Sequence, residues 1–137
     1  MPGVVGITAE FNPFHEGHRY MIDKTASALR PEAVVSVMSG DFVQRGGPAC
    51  FDKWTRAVQA VKGGIDLVVE LPAVFAVSSA DDFARGAVTV LKGLGVDTIA
   101  FGSEAGSAVT LAEAAGVLAD AENMRRNEIK TELSKGI

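Results

Sequence analysis

The sequence predicts an α/β fold, a Rossmann-like open parallel sheet with flanking helices, on three observations. Short β-branched runs recur across residues 1–104, helix-length segments separate them, and the runs are almost continuously apolar. Such runs suit central strands covered on both faces. Strands alternating with helices imply right-handed crossovers, and sheets of this kind bind ligands beyond the carboxyl ends of their strands.

The strands are expected at Gly3–Ala9, Ala33–Ser39, Ile65–Leu71 and Asp97–Ser103. Between them, helices are expected at His15–Leu29, stopped before Pro31, at Asp52–Lys62, stopped by Gly63-Gly64, and at about Ser79–Leu94, stopped by Gly95. Residues 105–137 read as a more charged helical extension leading towards a further C-terminal region. The organisation is therefore one core, 1–104, followed by that extension, a size that supports a single hydrophobic core.

Composition narrows the class. The chain has 137 residues, 47% hydrophobic and 22% charged, with a net charge of −4. That balance offers no broad basic surface for nucleic acid, although local patches stay open. No apolar run approaches the ~20 residues that cross a bilayer. Met1-Pro2-Gly3 runs straight into an apolar strand without a basic stretch, so a secretory signal is not expected and a cytoplasmic, membrane-free protein is. The lone Cys50 can form no internal disulfide and reads as a small packing residue.

Four loops follow the four strands: "EFNPFHEGH", "GDFVQRGGPA", "PAVFAVSSADD" and "GSEAGS". In a parallel sheet all four open on one edge. The first holds both histidines of the chain, His15 and His18, around Gly17. Three residues apart at a helix start, both rings can project to one side and supply two N–H donors to one polyphosphate, while the glycine keeps a side chain out of the way. Exposed backbone N–H groups and the helix dipole would favour an anion there. A metal pair lacking its third ligand and two purely structural histidines are the alternatives, and phosphate binding is the reading that strand, loop, H-x-G-H and helix start agree on. Neither GxxxxGK[ST] nor GxGxxG occurs. An H-x-G-H after a first strand is the mark of nucleotidylyltransferases, which act at the α-phosphate of ATP.

In order along the chain, "GITAEFNPFHEGH", "VMSGDFVQRGGPA", "DKWTRA", "GGIDLVVELP", "SADDFARGAV" and "FGSE" resemble the N-terminal part of the tRNA(Met) cytidine acetate ligase family, within the HIGH-type nucleotidylyltransferase superfamily. The resemblance implies that fold and a two-step ligase. ATP and acetate give acetyl-adenylate and pyrophosphate, and the wobble cytidine of elongator tRNA(Met) then takes the acetyl group as N4-acetylcytidine. It implies His15 and His18 as catalytic residues on the phosphates. It also implies an ATP-binding segment of Ile7, Thr8, Ala9, Glu10, Phe11, Asn12, Pro13, Phe14, His15, Glu16, Gly17, His18, Arg19 and Tyr20, together with Gly102. ATP would bring Mg2+ as counter-ion, with no metal site on the protein.

Gln44 and Arg45 are candidates for acetate or phosphate contact, since a guanidinium matches both anions. Ser103 and Glu104 flank Gly102 and are candidates for adenosine contact. Lys53 and Arg56 are weighed between ligand contact and structure, with structure ahead, and Glu70, Asp81 and Asp82 are expected to brace the third crossover rather than to hold Mg2+. Relatives of this kind run well beyond 137 residues, and no KMSKS-like triphosphate loop is evident, so the tRNA surface is expected in a part this chain lacks. An adenylyltransferase of cofactor synthesis and a non-catalytic nucleotide- or RNA-binding module are the competing functions.

Overall fold

A computed structural model of the chain describes residues 3–103 and 108–134. Backbone packing divides the chain into two units, Met1–Phe101 and Gly102–Ile137. In the first, β1 (Val4–Ala9), α1 (Glu16–Leu29), β2 (Ala33–Ser39), α2 (Lys53–Lys62), β3 (Leu67–Leu71), α3 (Ala73–Ala76), α4 (Ala80–Gly93) and β4 (Thr98–Ala100) follow in order. In the second, α5 spans Ala108–Ser134. Its alanine-rich first half favours helix by intrinsic propensity.

The sheet is parallel in the order β3-β2-β1-β4. Val4 lies opposite Ala33, Val35 opposite Leu67, and Val5 opposite Thr98. Strand order reverses between β1 and β4, the switch point where an open sheet leaves a crevice. The reversal also decides which face each helix covers. Ile22 of α1 and Ala60 of α2 pack with Ile7, Val34 and Met38 on one face, while Ala76 of α3 and Ala87 and Leu91 of α4 pack with Val35, Val37 and Leu71 on the other. Two covered faces explain the continuous apolar runs. From Val34 to Ser39 every residue of β2 is buried. On the two outer strands Leu67 and Ile99 stay exposed.

Gly6 has a packing reason in the middle of β1. A Cβ there would lie 2.8 Å from Val96 Cγ1 and 2.9 Å from Leu91 Cδ2. Its absence lets α4 bury Leu91 against the sheet, worth about 1.5–3 kcal/mol.

The elements differ from expectation at the ends of the outer strands and in the third crossover. Ile65 is buried but donates its N–H to Ala60 O, closing α2, so β3 begins at Leu67. Asp97 precedes β4 and accepts from the N–H groups of Gly3 (2.8 Å) and Val4 (3.2 Å), pinning the start of β1. After Pro72 an additional turn, α3, precedes α4. Gly86 is what lets the two meet, since a Cβ there would collide with Phe75. Asp82 accepts from the hydroxyls of Ser78 and Ser79 at the start of α4, the bracing role expected of it.

Candidate functional site: the loop after the first strand

β1 ends in a turn that few sequences make. Phe11 is fully buried yet has φ 47°, in the left-handed region. That conformation costs a non-glycine residue about 1–2 kcal/mol, and burial of the ring offsets it by a similar amount. The turn aims the ring at the start of α1. Phe11 meets His18 edge-on with centroids 5.0 Å apart, and Phe14 lies 5.3 Å from Phe11 and 5.6 Å from His18. The Asn12–Pro13 peptide between them is cis.

His15 is the N-cap of α1. Its Nδ1 accepts from the N–H of Gly17 (3.1 Å), and Nδ1 of His18 accepts in return from the N–H of His15 (3.3 Å). This reciprocal arrangement is a capping box in which imidazoles replace the usual Ser and Glu. It also assigns the tautomers. A neutral ring that accepts at Nδ1 carries its proton on Nε2, and among the described residues neither Nε2 has a partner. The rings stack with centroids 3.8 Å apart. Partial burial first, and the adjacent His15 second, hold the His18 imidazole below its ordinary value and favour its neutral form. Gly17 serves the cap directly, because a Cβ there would sit 2.9 Å from His15 Cε1.

Of the two sources of donors the sequence offers, ring N–H groups and first-turn backbone, the backbone is largely taken up by the cap. Of the N–H groups around the first turn, those of His15 and Gly17 are on the imidazoles and those of His18 and Arg19 on His15 O (2.9 and 3.2 Å). What remains is a pair of Nε2–H groups on stacked rings, without a partner among the described residues. Two such donors match the adjacent oxygens of a phosphate chain.

The other expected residues fall into three groups. Ile7 is buried, Thr8, Ala9, Glu10 and Asn12 are half-buried, and Pro13 and Glu16 are exposed. Arg19 pairs with Asp23 at 3.2 Å and Tyr20 lies under Lys24, so both are engaged along α1 itself. Gln44 and Arg45 sit on a tight hairpin closed by Val43 N–H to Gly47 O (2.9 Å) and a Phe42–Pro48 bridge. That hairpin is clipped to the first loop. Glu10 Oε1 accepts from Gln44 N–H and Asn12 Oδ1 from Cys50 N–H, each at 2.7 Å. Gln44 thus touches the first loop through its backbone, and Arg45 is exposed, with no ion pair among the described residues. Gly102 and Ser103 are exposed and belong to the second unit, and Glu104 lies outside the described residues.

Two structural roles stand out beside the site. Lys53 reaches Glu70 at 2.8 Å and ties α2 to β3. Arg56 is completely buried and donates to four backbone carbonyls, those of Glu10, Ser39, Gly40 and Phe51. Sequence reasoning put a structural role for Arg56 slightly ahead of ligand contact but did not foresee its burial. The available signal was its register, since Arg56 lies four residues before Ala60 on the buried stripe of α2.

The model of the HIGH Nucleotidyl Transferase family matches residues 3–137. The chain belongs to that family. Among curated relatives it is 48% identical over 134 residues to the tRNA(Met) cytidine acetate ligase of Syntrophomonas wolfei and 47% identical over 134 residues to that of Caldanaerobacter subterraneus, covering 97% of this chain in both cases and 32% and 33% of theirs. It therefore spans about a third of the length of these relatives. The crystal structure of Thermotoga maritima TmcAL bound with alpha-thio ATP superposes with a TM-score of 0.83 at 42% identity, over 98% of this chain and 33% of that one. No helix among the described residues is long and apolar enough to cross a membrane.

Proposed function

We propose that this chain is the ATP-binding part of an acetate-activating, tRNA-modifying ligase, with the phosphates of ATP held at the His15–His18 edge. One observation carries the reading: two stacked imidazoles, each accepting a backbone N–H at Nδ1, present at the carboxyl end of β1 Nε2–H donors that have no partner among the described residues. The names of the relatives and the ATP analogue in the Thermotoga maritima structure support it.

In the proposed reaction an acetate oxygen attacks the α-phosphorus of ATP, the bond to the bridging oxygen breaks, and pyrophosphate leaves. The cytidine N4 amine then attacks the acetyl carbonyl, AMP departs, and the amine proton passes to solvent. Charge builds on the phosphoryl oxygens in the first step, where the Nε2–H groups of His15 and His18 would donate without reorganising. Arg45, unpaired on the clipped hairpin, is the candidate for the acetate carboxylate, and Gly102 and Ser103 are the candidates for adenosine. Among the described residues no three His, Cys, Asp or Glu side chains gather so as to hold a metal ion. Mg2+ would enter on the phosphates of ATP, and no step here is routed through it. Acetyl transfer to tRNA is proposed for the longer protein of which this chain matches a third.

Exchange of radiolabelled pyrophosphate into ATP tests the reading. Acetate-dependent exchange by a full-length protein containing this sequence, lost in His15→Ala and His18→Ala, is the expected result. Exchange that needs nicotinate mononucleotide or pantetheine phosphate instead would place the chain with the cofactor adenylyltransferases, and unaltered exchange in both variants would remove the histidines from the phosphates.

A further inference from the structure

Arg56 poses a question that the ATP site does not answer by itself. Its guanidinium is fully buried, and no carboxylate pairs with it among the described residues. The nearby acids are engaged elsewhere: Asp41 accepts from Lys53 N–H, Asp52 from Thr55, and Glu70 from Lys53 Nζ. A buried cation is an expensive way to join backbone segments. The five donors of a planar fork can, however, reach several carbonyls at once, which an ammonium cannot do in the same geometry.

The carbonyls it reaches are informative. Nη1 donates to Glu10 O at 2.6 Å and to Ser39 O at 3.2 Å, Nη2 to Gly40 O, and Nε to Phe51 O at 3.0 Å. These are the end of β1, the end of β2 and the entry to α2. Glu10 immediately precedes Phe11, whose left-handed turn places its ring edge-on to His18, which stacks in turn on His15. A continuous set of contacts thus runs from the guanidinium to the two imidazoles.

We infer that Arg56 is a positioning residue for the histidine pair, fixing the Glu10 carbonyl so that the Phe11 turn holds both rings in the Nε2–H orientation. It touches no ligand and acts through Phe11. The inference rests on reading the pair as a phosphate site, but its primary readout is the state of the rings and needs no ATP.

The test uses the full 137-residue chain with 15N-labelled histidine above the pH of imidazole protonation. Both rings of the unaltered chain should show the Nε2–H tautomer. In Arg56→Lys, which keeps the charge and loses the fork, the ring nitrogens should move towards an average of tautomers, and ATP affinity should fall about tenfold, the equivalent of one donor misplaced. An Arg56→Lys chain that melts earlier but keeps both tautomers and its ATP affinity would reduce Arg56 to a structural brace and overturn the inference. Should Arg56→Lys fail to fold, Phe11→Leu keeps the clamp and removes the ring edge; unchanged tautomers there would equally overturn it. Failure of the unaltered chain to bind ATP would defeat the phosphate reading alone, because the tautomer comparison would still decide the role of Arg56.

Discussion

The helix starts of α1 and α2 solve one problem with different chemistry. At α2, Asp52 accepts from the N–H of Thr55 at 2.9 Å and from its hydroxyl at 2.6 Å, the short polar cap that helices favour. At α1 the same duty falls to two imidazoles, bulkier and poorer acceptors, with a glycine cleared beneath one of them. Stability alone would select the Asp52 solution in both places. Using histidine at α1 gains a second nitrogen on each ring, a donor that points outward while the first is held by the backbone. Under the proposed function the cap doubles as part of the binding apparatus.

The largest expected effect follows from that difference. His15→Ala or His18→Ala should lower acetate-dependent exchange by roughly 2.7–4 kcal/mol of transition-state stabilisation, the scale for removing one preorganised donor. Asp52→Ala should cost roughly 0.5–2 kcal/mol of stability and leave exchange per folded molecule unchanged, as rates and melting curves on the same preparations would show. A sharper variant is His15→Asn, which keeps a capping acceptor and discards the outward donor. It should melt no earlier than the parent, since Asn is among the favoured caps, yet lose exchange to nearly the extent of His15→Ala. Equal loss of stability and exchange in all four variants would erase the distinction between the two caps.

Acid separates the caps by pH window. His18 is held below the ordinary imidazole value of 6.5, chiefly by burial. The unfolded chain therefore takes up the proton first, and the contribution of this cap is complete above that value and declines as pH falls below it. Asp52 is held below its ordinary 3.8, chiefly by the Thr55 hydroxyl. Its contribution is complete above 3.8 and fades only as pH falls further, through the lowered folded value. Hydrogen exchange of the His15 and Thr55 amides, which donate to His18 and Asp52, should show protection at His15 weakening as pH falls below 6.5 and at Thr55 only below 3.8. Simultaneous loss would contradict separate titration. The smallest effect is expected at Gly102, where a Cβ would meet nothing within 4 Å. Gly102→Ala should leave melting unchanged, and a fall in ATP affinity would support its assignment to the nucleotide.

Much of this was legible in the sequence because it depends on local pattern. β-branched runs gave the central strands, Pro31 and Gly63-Gly64 gave the ends of α1 and α2, and H-x-G-H at a helix start marked the loop. What stayed illegible depends on long-range partners. "PAVFAV" has no helical period, and α3 exists because Pro72 opens a turn and Gly86 leaves room for Phe75. The sequence pointed to both the ring N–H groups and the first-turn backbone as donors, but nothing in a string of letters says that each imidazole turns back to cap its own helix. Arg56 was misjudged in weight, because its four carbonyl partners lie up to 46 residues away.

The two clips from Glu10 and Asn12 to the hairpin after β2 tie the two loops together. Neither loop can swing outward without breaking a hydrogen bond to its neighbour, so their opening is expected to be coupled. The ordering entropy of both segments is then lost during folding and not on ligand arrival. Capture of a nucleotide should accordingly follow the encounter rate, showing no lag for a closing flap.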